Sequence, residues 1–501
     1  MTRPLRLAEV IAAISLATDL GMGQPLEQGL RTCLTALELA DAAGVEPGLR
    51  REIYYAALLR FLGCTADAQE SAGIAGGDDI AFRAAIAPVL GAPPRQFLSA
   101  VLPTLGAGSS LRSRAVVVSA FLTGGPARMR DGVRAHCEAA ETLALRLGLP
   151  DGTRAALRAA FESWDGSGFP DGVAGEDIPL AARVVFLARD VEVVSRLHGT
   201  EALQEVLRSR AGHSLDPALA EAALRHLDRL VDVARTEQPW DEILHREPLP
   251  HAEVPAESVE ETLTVFADFA DLKSPRRAGF SRDVASLACA AAPTLAATLR
   301  PAALVQDLGR AAVPSGPGSD RPDDERLRLH PYYSERILAH VPALASLGRL
   351  AGLHHERLDG SGYYRGAVAG ELPWEARVLA AADAFRELSV TEAGQEPTAS
   401  QATAQLLRDA GHGLDHDAVD AVLAAAGVHG QRARPAWPAG LTEREVEVLR
   451  LICRGATKKE VAAALVISPS TADHHVRHIY TKTGCSSRAA ATLFAVEHDL
   501  L

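Results

Sequence analysis

Lysine is scarce in this chain: four of its 501 residues are lysine, and three of these, Lys458, Lys459 and Lys482, lie near the C-terminus. Lys and Arg together number 51 against 64 Asp and Glu, which gives a net charge of −13. Such an excess of acid repels polyanions, so any nucleic-acid contact must be confined to one region of the chain. Aromatic residues make up only 5% of the chain, so Ala, Leu and Val must build most of the core.

Paired cysteines and long apolar runs are also missing. None of the six cysteines stands in a C-x-x-C pair, so neither a disulfide framework nor a cysteine zinc site is indicated. The apolar run over residues 284–299 contains Pro293 and is shorter than the ~20 residues that cross a bilayer. Glu9 and Asp19 interrupt the first apolar stretch, so no signal peptide is predicted. We therefore expect a cytoplasmic protein with no membrane partner.

Two parts of the sequence repeat each other. Residues 164–183 read WDGSGFPDGVAGEDIPLAAR, and residues 358–377 read LDGSGYYRGAVAGELPWEAR. His136 and His330 precede these two blocks by the same distance. The repeat predicts two copies of one domain, with a long insertion in the first copy between Phe61 and His136.

Hydrophobic residues recur at helical spacing almost throughout, as in residues 258–271, and alternating strand patterns are missing. The sequence therefore predicts an all-α protein: two tandem helical domains followed by a small helix-turn-helix bundle. The expected segments are a first copy over 1–235, a linker over 236–257, a second copy over 258–427, a linker over 428–440 and a terminal module over 441–501.

The terminal module shows clear helix starts. Thr442 with Glu445, and Thr457 with Glu460, have the spacing of capping boxes, and Ser468 before Pro469 has the pattern of an N-cap. These signals predict a helix from 458 to 466, a short turn, and a second helix from 470 to 483, which together form a helix-turn-helix.

This module resembles the LuxR-type (GerE-like) DNA-binding domain in its LT-RE start, its KE pair and its ISP turn. The resemblance implies double-stranded DNA as partner and a homodimer that binds two half-sites. Asp473 departs from the family, which usually has a basic or neutral residue there. A four-helix bundle used only for dimerisation is the alternative. The predicted DNA-binding residues are Lys458, Ser470, Thr471, His474, His475, Arg477, His478, Lys482 and Arg488.

The second copy contains the block HHERLDGSGYYRG, with an Asp and a further His elsewhere in the copy. Imidazole and carboxylate groups together are suited to a first-row divalent metal, which would acidify a water for attack on a phosphodiester. The block resembles the HD-GYP class of HD-domain phosphohydrolases, helical proteins that bind two or three metals and hydrolyse cyclic di-GMP. The resemblance implies one divalent ion (Fe, Mn, Zn or Ni) and a cyclic dinucleotide as ligand. The implied metal ligands are Asp307, His330, His354, His355 and Asp383; the implied catalytic residues are Asp307 and Arg310; and the implied substrate-binding residues are Gly362 and Tyr363.

Several positions of the second copy depart from the HD-GYP pattern. Gln306 and Phe280 stand where the family has His. Glu392 stands near the position where the family has a substrate-holding Arg, and Tyr364 replaces the Pro of GYP. Loss of two imidazoles should impair a bimetallic site, and Glu392 should repel a phosphate. We therefore expect weak or no phosphodiesterase activity.

The first copy is more altered. Its His-Asp pair falls on Arg60 and Phe61, its paired histidines fall on Ala160 and Phe161, and its last Asp falls on Arg189. Of the ligand set only His136 remains, so this copy is predicted to bind no metal and to act as a structural or sensory domain.

Three functions remain open at this point. The favoured one is a bacterial transcription regulator with a sensing or dimerising helical body. The second is a metal-dependent cyclic-dinucleotide phosphodiesterase with a DNA-binding tail, and the third is a scaffold that recruits another regulator.

Overall fold

The computed structural model describes residues 5–316, 324–389, 399–427, 437–498 and 500–501. Within these ranges the regular elements are helices, and the only β-type pairing consists of isolated bridges. The predicted all-α class is confirmed. The chain divides into two compact units, one comprising Met1–Ala256 with Pro314–Ser319 and the other comprising Glu257–Val313 with Asp320–Leu501.

The first unit is built around one buried helix, α2, which packs against several neighbours in the unit. The helices that form the insertion, α4 to α6 and the first half of α7, have a small apolar cluster of their own around Phe82 and Phe121. The helices of this unit are α1 (Leu7–Gly21), α2 (Gln28–Ala42), α3 (Arg50–Leu59), α4 (Ala68–Ala75), α5 (Asp79–Ile86), α6 (Pro94–Val101), α7 (Leu111–Arg146), α8 (Asp151–Arg158), α9 (Leu180–Arg210), α10 (Pro217–Arg225), α11 (Leu227–Ala234) and α12 (Pro239–His245).

Helix α12 lies within residues 236–257, the segment expected to be a linker. The hydroxyl of Tyr54 donates to the carbonyl of Ile243 at 3.0 Å, and Arg6 donates to the carbonyl of Leu244 at 2.9 Å. Pro239 begins the helix because its missing N–H costs nothing in the first turn. The segment therefore packs as part of the first unit and is not an extended connection.

In the second unit, the second copy repeats the local backbone of the first. The bridge between Ala211 and Leu215 has its counterpart between Ala410 and Leu414, at the same place in the matching segments AGHSL and AGHGL. The helices of this copy are α13 (Val259–Asp271), α14 (Phe280–Ala291), α15 (Ala296–Val305), α16 (Glu325–Arg328), α17 (His330–Ala339), α18 (Ala345–Ala351), α19 (Trp374–Ser389), α20 (Ala399–Asp409) and α21 (His416–Gly427). Most of the predicted second linker, 428–436, lies outside the described residues.

The terminal module has four helices: α22 (Glu443–Cys453), α23 (Lys458–Ala464), α24 (Pro469–Thr483) and α25 (Arg488–Glu497). Both predicted capping boxes and the Ser468 cap are present. Helix α23 ends two residues earlier than predicted, because Val466 has a φ of 55° and so leaves the helical conformation. Val461 and Ile479 are fully buried in a shared core, and Val476 is nearly so.

No single helix among the described residues is long and apolar enough to cross a membrane. One bent pair, Pro275–Ala291 with Pro293–Ala312, meets the length and composition requirements only when its two halves are counted together.

Two glycines at equivalent positions allow a close backbone approach in each copy. A Cβ at Gly63 would lie 2.0 Å from the carbonyl oxygen of His136, and one at Gly309 would lie 2.1 Å from that of His330. No side chain larger than hydrogen fits there, so these glycines permit the turn after the His-Asp position to contact the helix of the later histidine.

Gly309→Ala should lower the free energy of unfolding by roughly 1–3 kcal/mol, because the added methyl group forces the backbone near His330 to move. Urea unfolding of the full chain measures this change. Gly370→Ala is the matched control, because a Cβ there meets no atom within 4 Å. Equal stability of the two variants would show that the close approach is not required.

Candidate functional site

The five side chains predicted as metal ligands converge at the centre of the second copy. Asp307 follows α15, His330 begins α17, His354 and His355 follow α18, and Asp383 lies on α19. All five are buried. The Oδ1 of Asp307 lies 3.1 Å from the Nε2 of His330, and the Nε2 atoms of His330 and His354 are 3.0 Å apart.

Backbone carbonyls set the tautomers of two of these histidines. The Nδ1 of His330 lies 2.6 Å from the carbonyl of Leu327, and the Nδ1 of His354 lies 2.6 Å from that of Ala351. A carbonyl only accepts, so each Nδ1 carries the hydrogen and each Nε2 presents a lone pair. Burial lowers the pKa of His354 to about 3 and also lowers that of His330, so both rings are neutral at pH 7. Two facing lone pairs repel each other unless a cation lies between them, and this backbone bonding is typical of metal-binding histidines.

His355 completes a cluster of three imidazoles whose ligand nitrogens all lie within 4.8 Å of one another. Its ring stacks on Tyr363 with centroids 4.7 Å apart, and its buried Nε2 has no hydrogen-bond partner among the described residues. Its Nδ1 lies 3.7 Å from Asp383, whose other oxygen accepts from the Nε2 of Gln306 at 2.7 Å. Burial raises the pKa of Asp383 well above its usual range, which favours the protonated form of this carboxyl.

Two arginines hold Asp307, and sequence reasoning missed one of them. Arg277 contacts one carboxylate oxygen, and the Nε of Arg310 donates to the other at 2.9 Å. Burial opposes the charge of Asp307, but Arg277 and then Arg310 outweigh it and hold the pKa well below its usual range. Arg277 also donates to Glu387 at 3.2 Å and stacks on the ring of Phe280, 3.5 Å from its centroid.

These contacts decide how well the residues present fit a metal. Three neutral imidazoles and an orphaned buried Nε2 suit one divalent ion. Both oxygens of Asp307, however, are engaged by guanidinium groups, and the amide of Gln306 is bound to Asp383. The site therefore fits one ion and lacks the free bridging carboxylate that a second ion would need.

The predicted substrate-binding residues have structural contacts in this fold. A Cβ at Gly362 would lie 2.4 Å from the backbone nitrogen of Arg357, so the glycine is required by packing. Besides stacking on His355, Tyr363 has the guanidinium of Arg328 5.2 Å from its ring centroid. Glu392 lies outside the described residues.

In the first copy, apolar and basic side chains stand where the second copy has ligands. Phe161 lies 5.0 Å from the ring of His136, and Phe61 lies 6.4 Å from the same ring. The Nε2 of His136 pairs with the carbonyl of Arg60 at 3.2 Å. The Nδ1 of His136 lies 3.6 Å from a carboxylate oxygen of Asp67, so both ring nitrogens face protein groups.

The predicted DNA-binding residues lie mainly on one exposed face of the terminal module. His474 and His478 stack with centroids 4.0 Å apart, one turn from each other on α24. Seven of the nine predicted residues are exposed, whereas His475 and Arg488 are half-buried.

Asp473 engages two of the predicted DNA-binding cations. It forms ion pairs with Lys458 and with Arg477, whose Nε lies 3.0 Å from its Oδ2. Hydrogen bonds from Lys458 and then Arg477 lower the pKa of Asp473 to about 2. Lys482 is also engaged, because its Nζ lies 2.7 Å from Glu445 of the first capping box. These contacts further reduce the positive charge that the face presents.

Comparison with known families settles the class of both parts. Residues 127–219 and 264–418 match the family model described as HD domain, and residues 439–495 match that of bacterial regulatory proteins, luxR family. The chain is an HD-domain protein with a C-terminal LuxR-family domain. Both predicted resemblances are confirmed.

Several relatives share parts of this architecture. The 3'3'-cGAMP-specific phosphodiesterase 3 of Vibrio cholerae is 28% identical over 399 residues, which cover 76% of this chain and 86% of the relative. The probable transcriptional regulatory protein NarL of Mycobacterium tuberculosis is 34% identical over 175 residues, 33% of this chain and 78% of the relative. The crystal structure of a V. cholerae cyclic GMP-AMP specific phosphodiesterase shares the fold with a TM-score of 0.58 at 22% identity, over 85% of this chain and 99% of that one.

If the cluster of imidazoles holds an ion, His355→Ala should lower both metal content and the rise in melting temperature on adding Mn²⁺. Binding to the folded state adds about 2.7 kcal/mol when free ligand is a hundredfold above its dissociation constant. Elemental analysis and thermal unfolding measure the two quantities. The control is His412→Ala, since His412 is exposed in the same unit. Absence of metal from the native protein, with stability unchanged by chelator, would leave these histidines a packing role alone.

Proposed function

We propose that this HD-domain protein is a DNA-binding transcription regulator whose two HD copies form a sensing or dimerising body with weak or no phosphodiesterase activity. The observation that carries the proposal is the guanidinium of Arg277 on Asp307. A bridging carboxylate must be free to coordinate metal, and here a buried cation already neutralises it.

The consequence for hydrolysis follows from charge and geometry. A two-metal centre stabilises both the attacking and the leaving oxygen of a phosphodiester. A metal bound at the imidazoles would acidify water, but the arrangement around Asp307 supports only one ion. Arg310, the implied catalytic residue, is buried, and its Nε donates a hydrogen bond to Asp307. Its guanidinium therefore stabilises that carboxylate in the absence of a substrate.

A metal-dependent cyclic-dinucleotide phosphodiesterase is the alternative. The three clustered imidazoles favour it, as does the similarity to the V. cholerae phosphodiesterase over most of both chains. Its substrate would be cyclic di-GMP, as the HD-GYP resemblance implies, or 3'3'-cGAMP, as the relative's name indicates.

Hydrolysis of both dinucleotides decides between regulator and enzyme. We expect the native protein to turn over far more slowly than ~1 per second, and Gln306→His alone to raise metal content more than activity. Combining Gln306→His with Phe280→His and Arg277→Ala should raise turnover, because the exchanges restore two imidazoles and free Asp307. Glu392→Arg would further restore the positive charge that the family resemblance implies.

Arg282→Ala is the matched control for Arg277→Ala, because Arg282 is a nearby arginine that pairs with Asp268 outside the site. It should leave turnover unchanged. Turnover by the native protein at about 1 per second or faster, lost in Asp307→Ala, would establish the enzyme and refute the regulator with an inactive body.

The DNA-binding part of the proposal is supported by the LuxR-family match and by the exposed face of α24. Dimeric helix-turn-helix proteins bind half-sites about one or more helical turns apart, so we propose a homodimer on double-stranded DNA. Within that face, Arg477 and His474 are proposed to contact bases, and Lys458 is proposed to contact phosphate.

Asp473→Asn should tighten DNA binding, because it releases Lys458 and Arg477 from their ion pairs. Each new phosphate contact steepens the dependence of log K on log salt by about 0.9, so the slope should grow by roughly one to two. Fluorescence anisotropy of promoter fragments at several salt concentrations measures the change.

Glu447→Gln is the control. It removes an acid that pairs with Arg444, and both of these residues lie on α22, whereas Asp473 lies on α24. Lys482→Ala should weaken binding and also destabilise the module, because Lys482 pairs with the capping Glu445. If the native protein binds no promoter fragment in a salt-dependent way, the DNA-binding assignment is wrong.

A further inference from the structure

The first unit contains a cavity of about 860 Å³ between its altered HD centre and the inserted helices. Phe61, Phe161 and Phe186 line it on the side of the former metal site. Phe97 of α6 and Met129 of α7 line it on the side of the insertion. Ligand pockets in proteins commonly have 300–1,000 Å³ and mostly apolar walls with a few polar groups. Size and lining therefore match a binding site for a molecule with a large apolar body.

The cavity is lined by three arginines and by the carboxyl groups of Asp67, Glu70 and Asp165. Arg189 and Arg210 both line it, and both pair with the buried carboxylate of Asp190. Arg210 also donates to the carbonyls of Leu90 and Pro88, at 2.8 and 3.0 Å, and is fully engaged. The Nη2 of Arg189, by contrast, is buried and has no hydrogen-bond partner among the described residues. The side chain is 1% exposed and is among those that line the cavity.

A third guanidinium near the cavity also lacks hydrogen-bond partners. Arg60 lies behind the cavity-lining rings, 5.0 Å from the centroid of Phe186 and 5.2 Å from that of Phe161. Its side-chain nitrogens make no hydrogen bond within the described part of the chain. Burial lowers its pKa to about 9, which leaves it charged at pH 7. Arg60 and Arg189 thus both keep buried donors without a hydrogen-bond partner in the described residues, and a buried donor left unpaired is unfavourable.

We propose that this cavity binds a hydrophobic carboxylate, with its apolar body among the phenylalanine rings and its head group on the free Nη2 of Arg189. A carboxylate accepts such a donor in a charge-assisted hydrogen bond. The hydroxyl of Ser214, another buried cavity-lining donor without a partner among the described residues, is a second contact available to the ligand.

A cyclic dinucleotide fits this cavity less well than an apolar acid. It has two phosphates, whereas the insertion side of the wall carries the carboxyl groups of Asp67 and Glu70 besides its apolar side chains. The remaining lining cation, Arg83, is already paired with Asp67 at 2.7 Å. The proposal is independent of whether the second copy hydrolyses anything.

Isothermal titration of the purified full chain with oleate tests the proposal, with oleyl alcohol, cyclic di-GMP and 3'3'-cGAMP as parallel probes. We expect oleate to bind with one site per chain, and the neutral alcohol to bind at least tenfold more weakly. Arg189→Leu should weaken oleate binding tenfold or more, because a hydrogen bond to a charged group is lost. Arg208→Leu, an exposed arginine of the same helix outside the cavity, should leave the affinity unchanged.

A second variant covers the case in which Arg189→Leu fails to fold. Met129→Trp fills the cavity from α7 without altering any charge, and it should also weaken oleate binding tenfold or more. Circular dichroism verifies that each variant is folded. Absence of oleate binding, equal binding by the folded Met129→Trp and native proteins, or Arg189-dependent binding of a cyclic dinucleotide in place of oleate would each overturn the proposal.

Discussion

In both HD copies, the buried charged groups at the centre of the domain need partners of opposite charge. An ionised carboxylate deprived of water needs a cation within contact distance, since the cost of burying it alone is several kcal/mol. In the second copy the cation on Asp307 is the guanidinium of Arg277, supported by Arg310. This pairing holds the pKa of Asp307 well below its usual range, whereas burial raises the pKa of Asp383.

In the first copy the buried groups at these positions are positively charged, so they need a carboxylate as partner. Phe61 has replaced the carboxylate, and Arg60 and Arg189 stand where the resemblance places a histidine and an aspartate. Asp190 pairs with Arg189 and Arg210, whereas the side-chain nitrogens of Arg60 have no hydrogen-bond partner in the described residues. The inserted helices line a cavity next to these residues, which stand at the positions of the implied ligands.

Local patterns predicted the parts of this structure that depend on neighbours in sequence. The duplicated block, the capping boxes and the Ser468 cap all follow from spacing within a few residues, and the structure has each of them. Arg277 could not be found that way, because it lies thirty residues before Asp307 and reaches it only through tertiary packing. The sequence could have indicated that Glu387 lies near the site, because it follows Asp383 by one helical turn and so lies on the same face of the helix. The long insertion was visible as extra length, but which wall it would form depends on packing that no periodicity specifies.

The turn that carries Arg277 also contacts the LuxR-family domain, which belongs to the same compact unit. The ring of Pro275 lies against Gly455, where an added Cβ would be 3.3 Å from the proline, and a Cβ at Gly279 would lie 3.7 Å from Val496. Residues two positions to either side of Arg277 thus touch the DNA-binding-type domain, while Arg277 itself holds Asp307. A cation at the imidazoles would compete with Arg277 for the same carboxylate, because both are positive and Asp307 has only two oxygens. One short turn therefore joins the carboxylate of the HD centre to the surface of the terminal domain, through Arg277 on one side and Pro275 and Gly279 on the other.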